Sequence, residues 1–276
     1  MNNIISVTSS FGRNHLITLA VCIALIILGI IGVSKTKITF NQVLNIMLIF
    51  WVISEAIKLF SNMSYLLSDG STVKIIKYEA TAGIEIVRAF YPRGELPLHL
   101  CSIQPIFMLI VKFTNNQKIK DALLSFMAPT CIIGAFIALA VDTVGCDFSN
   151  PQVYEYFMYH TALIIFASSI ISKKQITITW KSNFKTLFML LIIFIGSIWL
   201  NTLCSDTGVN PGNIKDSTFY TNFFYSMKPP IDGLPLLNLN HGWFVYFITI
   251  VIVGMVGITL FHLPFILINN QKRKVN

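Results

Sequence analysis

The stretch "HLITLAVCIALIILGIIGV", His15 to Val33, passes without a single Asp, Glu, Lys or Arg. At about 1.5 Å per helical residue it reaches close to the roughly 30 Å thickness of a hydrocarbon core. No small-residue cleavage motif follows it, so it reads as a retained span and not as a signal peptide. The rest of the chain agrees with its first run. Hydrophobic residues make up 54% of the 276 and charged residues only 12%, with a mean hydropathy of +0.70; soluble domains carry about 25% charge. The chain is therefore expected to be an all-α, polytopic membrane helix bundle.

Seven runs approach the roughly 17–25 residues that a bilayer crossing takes. They lie near 15–33, 38–60, 96–113, 122–141, 154–171, 184–204 and 243–267, and together they form one transmembrane domain over 1–276. The third and fifth are the shortest. The connection from Ser61 to Glu95 is too charged to span, and its "KIIKYEATAGIEIV" part reads as a short interfacial helix or an ordered loop. Of the 20 basic residues, 12 fall in alternate connections with the single acidic residue Asp121, while the opposite set holds 8 basic and 11 acidic residues. The positive-inside rule then puts the N-terminus outside and the C-terminus in the cytoplasm of a cell-membrane protein. It also accounts for the basic excess without nucleic acid as a partner.

This topology sorts the polar residues by depth. Glu55, Cys101 and His160 come to a similar level, roughly 8–9 Å inside the outer boundary, from three different helices. His99, Asp142, Asn201 and His241 sit near the same face, as does His15, and His262 is the histidine left deep in the last span. An ionisable group inside a span normally faces the bundle interior and is paired. Glu55 either pairs with Lys58 one turn on or lines a cavity. His160 is either a packing residue beside Tyr156 or a functional base. Cys22 and Cys131 read as small hydrophobes.

Cys101 is different, because it lies near a helix start, where a thiol ionises more readily. The adjacent Pro97 suits a first helical turn. His99 does not face Cys101 if both are helical, so His160 is the better base. A histidine-activated thiolate suits acyl transfer through a thioester. Glu55, Asn201 or Asp142 would orient the imidazole, and Gln104 or Asn201 would donate to an oxyanion. Catalytic roles thus fall on Cys101, His160, Glu55 and Asn201, with His99, Gln104, Asp142 and His241 lining the substrate pocket. Membrane lipids are the natural partners, as phospholipid acyl donor and lysolipid acceptor. The ligand spacing holds no i, i+4 pair for a metal, and no cofactor is implied. Soluble-hydrolase and nucleotide signatures such as GxSxG, HExxH and GxGxxG do not occur. A small-solute transporter or a non-catalytic sensor or assembly protein remains the alternative. The 205–243 connection reads as an ordered lid or as a surface loop anchored in headgroups.

"LPLHLCS" at Leu96–Ser102, "SE" at Ser54–Glu55, "FMYH" ending at His160, and "WLN" at Trp199–Asn201 followed by Gly208 and Asn210 resemble the YwaF-like family of integral membrane proteins. That family is related to an animal multi-pass phospholipid acyltransferase of the transmembrane protein 164 type. The resemblance implies a helical membrane fold and places a cysteine–histidine dyad on Cys101 and His160. The Gly208–Val209–Asn210 segment departs from the family pattern in being followed by Pro211.

Overall fold

The computed structural model describes residues 12–80, 83–141, 144–205, 221–229 and 237–275. Its helices are α1 (Arg13–Lys35), α2 (Phe40–Asn62), α3 (Leu100–Phe113), α4 (Gln117–Ala140), α5 (Pro151–Ser172), α6 (Trp180–Cys204) and α7 (Trp243–Val275). Starts are set by capping residues. Thr39 and Thr179 form capping boxes with Gln42 and Ser182, and Asn116 and Asn150 accept from the first-turn N–H groups of α4 and α5. Such caps satisfy N–H groups that have no helical acceptor.

Five of the helices, α1, α2, α4, α6 and α7, are long and apolar enough to cross a membrane. The two others explain their own exception. α5 packs against α1, α2 and α4, and its buried positions run around much of its circumference. A helix sheathed by protein does not face lipid and tolerates Glu155, Tyr156, Tyr159 and His160. α3 has 14 residues, roughly 21 Å of helix. It starts later than the run at 96–113 suggests: Leu96 and Pro97 stay outside it, and His99 in extended conformation is its N-cap. The residue before a proline is pushed to extended backbone, so the chain turns into the helix two residues after Pro97.

The all-α expectation holds for the bundle but not for the connection between α2 and α3. There β1 (Ser64–Leu67), β2 (Thr72–Lys74) and β3 (Ile86–Phe90) form an antiparallel sheet in the order β2-β1-β3. Gly70, at φ +82°, closes the β1–β2 turn, and Asp69 Oδ1 accepts from the Ser71 N–H and hydroxyl. "KIIKYEATAGIEIV" supplies the end of β2, a short 3-10 turn over Ile75–Lys77 and the start of β3. The sheet is fastened to the bundle by polar contacts. Lys74 Nζ donates to Asn62 Oδ1 (2.8 Å) and Gln152 Oε1 (3.3 Å), and Asn62 Nδ2 donates to Glu95 Oε2 (3.3 Å). Burial pulls the Lys74 ammonium below the usual lysine range, and the Glu95 carboxylate opposes that shift. The ends of α2, α4 and α6 and the starts of α1, α3, α5 and α7 gather at this sheet end. The lysine-rich connections gather at the other.

Backbone carbonyls that run out of helical donors tie the helices together. At the C-terminal end of α4, His15 Nε2 donates to the Leu139 carbonyl (2.8 Å) and the Tyr156 hydroxyl to the Ala138 carbonyl (2.7 Å). α1 and α5 approach closely at Gly29, where a Cβ would lie 2.4 Å from Ile165 Cδ1. His15 is fully buried, so His15→Leu leaves a buried acceptor unmet. It is expected to destabilise the protein by about 1–3 kcal/mol, whereas Leu16→Ala at a lipid-facing position should be near neutral. Thermal unfolding in detergent, followed by near-UV circular dichroism, checks the difference.

Candidate active site

The site is built where α3 begins, and it starts from a proline. Pro105 has no N–H, so the carbonyl four residues back, that of Cys101, loses its helical donor. The Tyr159 hydroxyl of α5 takes that carbonyl (3.1 Å). This bond docks the start of α3 against the middle of α5 and brings Cys101 to His160. The imidazole is near enough to the thiol to interact with it electrostatically, and the Ser102 hydroxyl is 3.7 Å from the sulfur. Cys101 occupies the second position of the helix, where first-turn N–H groups have no helical acceptor and the helix dipole favours negative charge.

The ring of His160 is oriented by its own helix. Its Nδ1 lies 2.7 Å from the Tyr156 carbonyl. A carbonyl only accepts, so Nδ1 carries the proton, and the neutral ring keeps its lone pair on Nε2. That is the tautomer able to take a proton from a thiol. The Tyr156 and Tyr159 rings hold the imidazole at centroid distances of 4.5 and 5.8 Å.

A carboxylate completes the neighbourhood, and it is Glu155. It accepts a short hydrogen bond from the Ser54 hydroxyl of α2 and lies within electrostatic range of His160, Lys58 and Glu55. Lys58 is also within range of Cys101 and His99. Above them stands Tyr91 from the end of the sheet, its hydroxyl donating to the Glu95 carbonyl (3.1 Å). Burial, with the carboxylates of Glu95, Glu55 and Glu155 around it, holds that phenol well above the usual range. In the sequence Glu155 falls at a span boundary, where a charge is ordinary. An ionisable group one turn inside a helix bounded by an Asn cap was the signal that could have found it.

The structure thus brings Cys101 and His160 together, leaves Glu55 within electrostatic range of Glu155 and Tyr91 and not in contact with the thiol or the ring, and separates the other candidates. Gln104 is fully buried, and its amide nitrogen donates to the Leu100 carbonyl and to Thr130 Oγ1. With both amide hydrogens used, it has none for an oxyanion. Asn201 faces a different partner: Oδ1 accepts from the Phe223 N–H (2.7 Å), and Nδ2 donates to the Phe223 carbonyl and Ser226 hydroxyl. It fixes the 221–226 turn and does not orient the imidazole. His99, as the helix N-cap, packs against the rings of Phe223 and Tyr225 at 5.3 and 5.9 Å. It links that turn to the start of α3. His241 is exposed with no placement in the site. Asp142, Gly208, Asn210 and Pro211 lie outside the described residues. Among the described residues no cluster of three potential metal ligands forms.

The family model of the TMEM164 family matches residues 10–262. The chain belongs to the TMEM164 family. Neither the curated proteins nor the solved structures return a match to it. Family membership and the apolar helices agree on a multi-pass membrane protein.

The geometry predicts unequal thiols. Cys101 should be alkylated by a membrane-permeant iodoacetamide well before Cys22 and Cys131, which are 3% and 1% exposed. His160→Ala should slow alkylation of Cys101 on the order of tenfold near neutral pH, because the thiolate is the nucleophile. Peptide-resolved mass spectrometry reads both rates.

Proposed function

We propose that this member of the TMEM164 family is a lipid acyltransferase or ester hydrolase in which Cys101 is the nucleophile and His160 the base. The observation that carries the reading is the placement of the His160 ring near the Cys101 thiol at a helix start, with the proton of the ring held on Nδ1 by the Tyr156 carbonyl. In this reading all seven helices cross the bilayer, the sheet lies on the outer side and the lysine-rich end is cytoplasmic. The substrate is then a phospholipid whose ester sits at the boundary between headgroups and hydrocarbon.

The chemistry runs in two halves. His160 Nε2 takes the thiol proton, and the thiolate adds to the ester carbonyl. Charge on the carbonyl oxygen is met by the free N–H groups in the first turn of α3, in place of Gln104 or Asn201. The tetrahedral species collapses by breaking the bond to the lipid oxygen, which receives the proton from the imidazolium and leaves as a lysolipid. A thioester at Cys101 remains. A hydroxyl of a second lysolipid, or water, then gives its proton to Nε2 and attacks the thioester, and the returning proton restores the thiol. Glu155 stabilises the imidazolium in both halves from within electrostatic range, with Ser54 holding its carboxylate. It is a positioning and electrostatic residue.

Cys101→Ala should lower acyl release from labelled phospholipid by at least about a thousandfold while the protein remains folded in the membrane. Intact-protein mass spectrometry of the wild type should show an acyl adduct that hydroxylamine removes. A Cys101→Ala protein as active as wild type would sink the mechanism. Glu155→Gln should reduce kcat about tenfold with KM little changed, since it acts on charge that develops after binding.

A further inference from the structure

The opposite end of the bundle carries a pocket that the chemistry above does not use. A cavity of about 290 Å³ opens between the start of α4, the α5–α6 connection and the start of α6, near the lower end of the roughly 300–1,000 Å³ typical of small-molecule sites. Three lysines line it, Lys174, Lys181 and Lys185, all exposed. Hydroxyls of Ser125, Thr177 and Ser182 are at its wall. Asp121 is the acidic residue of the lining, and its Oδ1 accepts from Gln117 Nε2 (2.7 Å).

Each lysine is delivered by a specific local structure. Lys174 stands at φ +53°, a left-handed conformation uncommon for a residue with a Cβ, where it ends α5 with its N–H on the Ile171 carbonyl. Its neighbour Lys173 turns away, donating to the Thr36 carbonyl (3.0 Å). Lys181 and Lys185 are four apart and share one face of α6. The Thr179 hydroxyl takes the Ser182 N–H (3.2 Å), so the N–H groups of Trp180 and Lys181 are the first-turn donors without a helical acceptor. Three ammonium groups, backbone donors at a helix start and the Ser125 and Thr177 hydroxyls form a donor set for a phosphate group.

The depth of the pocket points to the source of that phosphate. Trp180 and Phe184, 44% and 65% exposed, pair at 6.3 Å on the outside of α6 beside it. Tryptophan at the end of an apolar helix marks the headgroup level of a bilayer. We infer that this pocket binds the phosphate of an anionic phospholipid headgroup, at a site separate from Cys101 and independent of the proposed acyl chemistry. Lysines scattered by the positive-inside rule alone would lie on convex loops. Here three of them line one concavity.

The test uses the full-length protein in a neutral detergent, with phosphatidylglycerol and phosphatidylcholine of matched chains as probes and native mass spectrometry as the readout. Retention of phosphatidylglycerol should exceed that of phosphatidylcholine. It should fall about fivefold for each lysine removed in Lys181→Gln/Lys185→Gln, and persist in Lys181→Arg/Lys185→Arg. Lys118→Gln/Lys120→Gln, with the same charge loss at the same end but outside the pocket, should leave it unchanged. A parallel arm measures binding of radiolabelled inorganic phosphate. Phosphate binding that depends on Lys181 and Lys185, without a lipid preference, keeps the site and assigns it to a soluble phosphate compound. No preference for either probe, or an equal loss in the Lys118/Lys120 variant, overturns the proposal.

Discussion

A proline removes one hydrogen bond from α3, and much of the site follows from how that loss is made good. Pro105 leaves the Cys101 carbonyl without its helical donor, and within an apolar bundle no water replaces it. The Tyr159 hydroxyl does. Once that bond is made, the first turn of α3 lies against α5 at the level of His160, and the thiol and the imidazole meet. The same logic recurs around the structure. His15 and Tyr156 take carbonyls at the end of α4. In α7 the buried His262 ring is hydrogen-bonded through Nδ1 to Asn183 Oδ1 of α6 (2.9 Å). At the sheet end, Trp243 Nε1 and the Tyr246 hydroxyl hold the carbonyls of Ser226 and Tyr225. Polar side chains inside the bundle are largely spent on backbone groups, and this restricts which of them are left for chemistry.

That restriction separates the two groups of polar residues at the sheet end. Asn201, Thr221, Ser226 and Trp243 saturate one another and the 221–226 turn. His99 joins them through aromatic contact. The second group, Cys101, His160, Glu155, Ser54 and Lys58, contains ionisable groups whose partners are mostly one another. The sheet closes over this second group through Tyr91 and the Lys74–Asn62–Glu95 contacts. The lysine-lined pocket at the far end has a different composition, with cations and hydroxyls and no nucleophile, which suits binding without turnover.

Much of this was legible in the chain itself. Long uncharged runs such as His15–Val33 dictate helices because a bilayer leaves the backbone few alternatives, and the alternation of lysine-rich connections orders them. The caps at Thr39, Asn116, Asn150 and Thr179 place the helix starts two to five residues from the limits 38, 122, 154 and 184 that hydropathy suggests. Pairing Cys101 of one helix with His160 of another needed only a rise per residue. What periodicity could not supply was the direction in which each polar side chain turns. Gln104 lies three residues from Cys101 in the sequence and yet spends its amide on Thr130 and Leu100. Asn201 shares the level of the site and yet belongs to the neighbouring turn. The sheet over 64–90 was hidden because its strands are three to five residues long and pair across the chain.

The sequence by itself determined a membrane bundle of apolar helices and the setting of Cys101 near a helix start. These follow from local rules, since hydropathy, capping and proline act within a few residues. Only the tertiary structure decided that Tyr159 takes the carbonyl that Pro105 leaves without a donor, that Glu155, bonded to the Ser54 hydroxyl, comes within electrostatic range of His160, and that Lys174, Lys181 and Lys185 line a common hollow. Those outcomes depend on how helices rotate against one another. That rotation is set by which buried carbonyls must find donors on a neighbouring helix, a requirement no single segment carries in its own sequence.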